Sequence, residues 1–179
     1  SSTEKLSNLE INYNGGEQNA TDLKQYNNRF YLADALSGQI YRFTKSAGKL
    51  ANPTPWLNSK EDLASLVSME IDGNIYLLKN NGSALKYAKG KKQDFILTGV
   101  EPALNQPNKI TVSADQNYLY VLEPAGQRLI VFDKDGKFIS QYKGAGLNNL
   151  RDFQIDEKNK KIYFLNNAAV YSIDLANTK

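Results

Sequence analysis

The chain alternates apolar bursts of four or five residues with clusters of Gly, Asn, Asp and Ser. No burst carries the i, i+3, i+4 spacing by which a helix buries one face over a dozen positions. Burst length and punctuation predict β-strands joined by tight turns. One burst recurs: RFYLAD at Tyr31, NIYLLKN at Tyr76, YLYVLEP at Tyr120 and KIYFLNN at Tyr163, at intervals of 45, 44 and 43 residues. Each copy is preceded by a first strand (LKQY, SMEI, KITV, DFQI) and followed by a third (IYRF, ALKY, LIVF, VYSI). A fourth, outer strand is predicted at TPWL, DFILT and KFISQY. Turns such as DGN and NNG supply residues that tolerate positive φ.

A period in the forties with four short strands per period is the signature of a β-propeller. The predicted fold is therefore all-β, a single domain over residues 1–179. Its four blades lie near 18–61, 62–105, 106–148 and 149–175. The last copy lacks a fourth strand, and NLEINYNGG at residues 8–16 matches the outer-strand text KFISQYKGAG. That segment is expected to complete the last blade and hide its edge. A closed four-blade ring is the first expectation. Part of a larger ring and pairing with another chain are the alternatives. Alternation along the strands predicts a core of Leu23, Tyr26, Tyr31, Leu32, Met69, Ile71, Tyr76, Leu77, Ile110, Val112, Tyr120, Val121, Phe153, Ile155, Tyr163 and Phe164. Residues 1–7 read as a polar tail.

Composition then narrows the chemistry. His and Cys are both absent, which removes Ser–His–Asp and Cys–His catalysis, disulfides and the usual zinc sites. The net charge is +3, from 22 basic and 19 acidic side chains, and does not announce nucleic acid. No apolar run reaches the roughly 18 residues of a membrane helix, and no secretory leader is visible at the start.

Within the third copy, Pro107, Ile110, Val112, Leu119, Tyr120, Val121, Arg128, Ile130, Val131, Phe132, Asp133, Gly136, Phe138 and Gly144 stand in the order of an NHL repeat, which this stretch resembles. The first copy keeps FYLAD with Asp34, while Lys79 or Asn80 and Glu123 replace that Asp elsewhere. The stretches PWL, SMEIDGNIYLL, VFDKDGKFISQY and FQIDEKNKKIYFL are also similar to the C-terminal propellers of bacterial membrane proteins that carry a phosphatase-like domain across the membrane. That second resemblance implies an extracytoplasmic bacterial domain, tethered to a membrane protein or paired with further blades. Resemblance of fold does not transfer function.

Five residues stand out as ligand contacts: Trp56, Asp34, Glu123, Asn80 and Asn166. Trp56 is the sole Trp, held between prolines in NPTPWL, and is either a contact anchor or a cover for the side of its blade. Asp34 and Glu123, with Asp22 and Asp152, end inner strands or lie in the loops after them. Asn80, Asn81, Asn166 and Asn167 fall in equivalent loops. Propeller lactonases hold Ca²⁺ in the central channel through such groups. Ordinary turn chemistry explains the same residues, since they share no register. The aligned tyrosines are expected to pack between blades rather than stack a ligand. Lys86, Lys89, Lys91 and Lys92 form a basic run around Tyr87. It is one loop and not an extended stripe, which argues against RNA. Asn19 and Asn81 head glycosylation tripeptides, a pattern frequent by chance. No catalytic residue, metal ligand or cofactor is assigned. The expected function is a non-catalytic scaffold that binds a protein, peptide or cell-envelope ligand through its inter-strand loops. The alternatives are a Ca²⁺-assisted lactonase and an RNA-binding propeller.

Overall fold

Left-handed residues close the hairpins: Asn27 (φ 50°), Lys89 and Gly90 (51° and 79°), Gly136 (92°) and Lys160 (53°). Between them run the strands that the apolar bursts predict. The structure, a computed structural model, describes residues 19–46, 49–112, 114–115 and 117–175. Blade 1 contains β1 (Ala20–Tyr26), β2 (Arg29–Asp34), β3 (Gln39–Ser46) and β4 (Lys49–Pro55). Blade 2 contains β5 (Leu66–Ile71), β6 (Ile75–Lys79), β7 (Ala84–Ala88) and β8 (Lys91–Lys92). Blade 3 contains β9 (Lys109–Thr111), β10 (Tyr118–Glu123), β11 (Arg128–Asp133) and β12 (Phe138–Lys143). Blade 4 contains β13 (Leu150–Asp156), β14 (Lys161–Asn166) and β15 (Ala169–Asp174). Every blade is an antiparallel meander in sequence order.

The blades follow one another around an axis. β1 lies against β5 and β5 against β9, which places the first strands innermost. Three apolar clusters fill three seams. Tyr31, Ala33 and Ile40 pack on Met69, Ile71 and Leu77 between blades 1 and 2. Tyr76 and Leu78 pack on Ile110, Val121 and Phe132 between blades 2 and 3. Tyr120, Leu122 and Val131 pack on Phe153, Ile162 and Phe164 between blades 3 and 4. Polar pins cross the same seams. The Asp22 carboxylate accepts the Met69 N–H at 2.7 Å, and the Ser68 hydroxyl oxygen accepts that of Ile110 at 3.2 Å. In blade 4 the Asp152 carboxylate pairs with Lys109 of blade 3.

Two expected core residues are more open than the pattern implies: Leu23 is 47% exposed and Tyr163 is 37% exposed. Tyr26 is half-buried. Leu23 pairs with Leu32, whose apolar cluster with Phe43 is confined to blade 1. Tyr163 lies on the same face as Leu165 and the exposed Val170. Alternation assigns these residues to a face correctly. The described core clusters, however, leave both faces outside the three packed seams.

The outer strands also differ from expectation. In blade 2 the fourth strand is Lys91–Lys92 and not DFILT. The two-residue turn Lys89–Gly90 reverses the chain immediately after β7, so pairing starts earlier. Asp94–Thr98 then crosses to blade 3, where Thr98 bridges Lys137 in parallel. Phe95 is buried on that crossing, edge-on to Tyr76 at 5.7 Å between ring centroids. In blade 1 the strand ends at Pro55, so Trp56 and Leu57 of TPWL lie beyond it. The strand expected at residues 8–16 lies outside the described residues.

Candidate functional site

The register of blade 1 concentrates cations and rings on one face. Directly opposite residues of an antiparallel pair share a face. Tyr26 pairs with Arg29, Arg29 with Thr44, and Tyr31 with Arg42. All five therefore point towards blade 2, near the end where the β1–β2 hairpin turns. Blade 2 contributes Ile71, Gly73, Ile75 and the Lys89 turn. Together with Pro55 and Trp56 these residues line a pocket of about 360 Å³. A second pocket of about 590 Å³ shares Tyr26, Arg29 and Tyr31 and runs over Asn27, Asn28, Thr44 and Lys45. The two form one groove.

Trp56 is fixed in this groove from several sides. Its backbone N–H donates to the Ile40 carbonyl at 2.7 Å, and its ring stands edge-on to Tyr31 at 6.1 Å between centroids. Two residues on, the Asn58 N–H donates to the Gly90 carbonyl at 2.9 Å, which ties this segment to the blade 2 turn. Gly90 is required there twice over. Its φ is +79°, and a Cβ would lie 2.3 Å from the Trp56 carbonyl oxygen and 2.7 Å from Asn58 Oδ1. Gly90→Ala is expected to cost about 2 kcal/mol or more. It should also shift the emission of the single Trp. Thermal melting and fluorescence of the variant check both.

The groove is electrically one-sided. Among the described residues no carboxylate lines either pocket. Arg29, Arg42, Lys45 and Lys89 take part in no ion pair among the described residues. The nearby acids in the chain are engaged: Glu70 with Lys24 at 3.3 Å and Asp72 with Lys134 at 3.0 Å. Burial raises the pKa of the Glu70 carboxyl against the opposing pull of Lys24.

Of the five residues singled out from sequence, Trp56 alone lines this groove. Asp34, Glu123 and Asn166 all end second strands and are buried. Each accepts the N–H of a residue before its blade's first strand: Asn19 on Asp34, Asn105 on Glu123 and Asn149 on Asn166. An Asp, a Glu and an Asn thus pin the loops that enter blades 1, 3 and 4. Glu123 also forms a buried ion pair with Arg128. Asn80 is exposed and donates its N–H to the Ser65 carbonyl. Among the described residues no three acidic groups gather as they would around a metal ion.

The basic run is dispersed. Lys86 lies over the Tyr76 and Phe95 rings, 5.3 and 5.5 Å from their centroids, and donates to the Lys134 carbonyl. Lys92 pairs with Glu61 at 3.0 Å, and Glu61 also accepts the Tyr87 hydroxyl at 2.7 Å. Only Lys89 reaches the groove. Arg29, Arg42 and Lys45 were not singled out from sequence. The convergence of Arg29 and Arg42 depends on pairing register across the β2–β3 hairpin.

Residues 98–177 match a family described as "6-bladed beta-propeller". No curated protein matches in sequence. Among solved structures, the chain superposes on the computationally designed Ika4 protein with TM-score 0.61 at 14% identity, over 92% of this chain and 96% of that one. A Bacteroides uniformis protein provisionally described as a 6-phosphogluconolactonase gives 0.59 at 14%, over 88% of this chain. A chain of a nidogen/laminin complex gives 0.58 at 14%, over 79% of this chain. The chain spans about half the length of these two natural proteins, 54% and 56%. Identities of this size speak for the fold and nothing finer, and they agree with the strand order and seams: the chain is an all-β propeller of four blades.

Proposed function

We propose that this propeller is a non-catalytic binding module that recognises a protein or peptide segment at the hairpin end of blades 1 and 2. The observation that carries this reading is the groove around Trp56. It combines a fixed indole, two tyrosines and an open channel of two adjoining pockets of about 360 and 590 Å³. Rigid aromatic side chains offer large contact area at low entropic cost, which is why they dominate binding hot spots. In support of the reading, Asp34 and Glu123 accept backbone N–H groups at blade entries and Asp22 accepts one across the seam between blades 1 and 2.

Selection of random twelve-residue peptides by display, with Trp56→Ala as counter-target, tests the reading. Enriched peptides should quench or shift the emission of Trp56 and fail on the variant. An empty selection, or lactone hydrolysis that appears with Ca²⁺ and rises with a Ca²⁺-dependent melting temperature, would contradict it.

A further inference from the structure

The groove has a charge preference as well as a shape. Arg29 and Arg42 stand on adjacent strands of one sheet face, flanking Tyr31. Lys45 borders the second pocket, and Lys89 borders the first from blade 2. These cations lack ion-pair partners among the described residues. The contrast with Arg128 is direct. That guanidinium is buried against Glu123 and saturated by the carbonyls of Pro102 and Ala103. In a chain with 22 basic and 19 acidic side chains, several cations without an ion pair among the described residues around one aromatic groove are a local feature and not a reflection of bulk charge.

Resting on the binding-module reading above, we infer that the groove takes an acidic peptide segment, with carboxylates on Arg29 and Arg42 and an apolar or aromatic side chain against Trp56. Guanidinium groups present paired donors that match a carboxylate in two-pronged geometry. The rings between them supply the apolar floor. The two adjoining pockets, about 360 and 590 Å³, hold more than a single small anion. A nucleic acid needs a cationic track running beyond the aromatic platform. Here the neighbouring lysines leave the groove, Lys86 towards blade 3 and Lys92 towards Glu61.

The test uses the peptides selected on the whole chain and two variants, Arg29→Gln and Arg42→Gln, whose melting temperatures should match the parent. Enriched peptides are expected to carry Asp or Glu beside an aromatic or large apolar residue. Each variant should weaken binding roughly tenfold. Raising salt from about 50 to about 300 mM should weaken it severalfold on the parent and less on the variants. Selected peptides without acidic residues that bind both variants like the parent would overturn the acidic assignment and leave the binding-module reading standing. An empty selection would overturn both. Binding of oligouridine that competes with the peptides and depends on both arginines would overturn the peptide assignment in favour of nucleic acid. Competition by inorganic phosphate at low millimolar concentration, with no acidic peptide enriched, would overturn it in favour of a small anion.

Discussion

Glu123→Ala is expected to cost about 3–5 kcal/mol, as removal of one partner from a buried ion pair does. The side chains of Glu123 and Arg128 are 1% and 2% exposed. Glu123 accepts from Arg128 Nε through one oxygen and from the Asn105 N–H through the other. Arg128 donates further to the Pro102 carbonyl at 2.7 Å and to Gln141 Oε1 at 3.2 Å. Truncation leaves a guanidinium buried without its counter-charge and frees the loop that enters blade 3. Glu123→Gln keeps an acceptor and should cost less. A Glu123→Leu/Arg128→Met double variant should recover part of the loss, because no lone charge remains. Urea unfolding of the series measures each step. A Glu123→Ala cost below about 1 kcal/mol would mean that the pair is not desolvated in solution. Gly126 reports on the same cluster, since a Cβ there would meet Glu123 Oε2 at 2.3 Å.

The four aligned tyrosines give the second large effect, and it is unequal. Tyr76 and Tyr120 are fully buried in the seams flanking blade 3, while Tyr163 is 37% exposed. Tyr76→Ala and Tyr120→Ala should each cost about 3–5 kcal/mol, the range for emptying a buried aromatic site. Tyr163→Ala should cost under about 1 kcal/mol, as for a surface position. The same unfolding measurement ranks the variants. An equal loss at Tyr163 would show that its face is covered in solution, by blade 1 or by a further sheet. Burial pushes the Tyr76 and Tyr120 phenols well above their usual range, so both stay neutral at any physiological pH.

The blade rhythm was legible because it depends on local text. Bursts such as YLYVLE and RLIVFD alternate with turn residues, and both became strands at those positions. Register also followed, since Tyr31, Tyr76, Tyr120 and Tyr163 all fall in second strands. The outer strands were less legible. DFILT has the composition of a strand, yet the Lys89–Gly90 turn had already used the pairing edge of β7. Exposure at Leu23 and Tyr163 was hidden for another reason: alternation says which face a residue takes and is silent on what packs against it.

The candidate site was legible only at Trp56. A lone Trp between prolines stands out in the sequence, whereas Arg29 in NNRFYLAD and Arg42 in QIYRFTKS do not. They meet because Tyr31 pairs with Arg42 and Arg29 with Thr44, a fact of register. Once the hairpin is aligned from the burst pattern, the same juxtaposition can be written down from the text. Asp34 and Glu123 drew attention as acids at strand ends. The loop amides that they accept were invisible without the fold.

The central claim is that ligand binds at the hairpin end of blades 1 and 2. Hydrogen exchange of the whole chain with and without a selected peptide tests it most directly. The account predicts slowed amide exchange confined to residues 26–31, 41–45, 54–58, 71–75 and 88–90, which carry the groove. Protection centred instead on the apolar pocket between β12 and β15, around Tyr142, Leu147 and Tyr171, or on the first strands β1, β5 and β9, would contradict it.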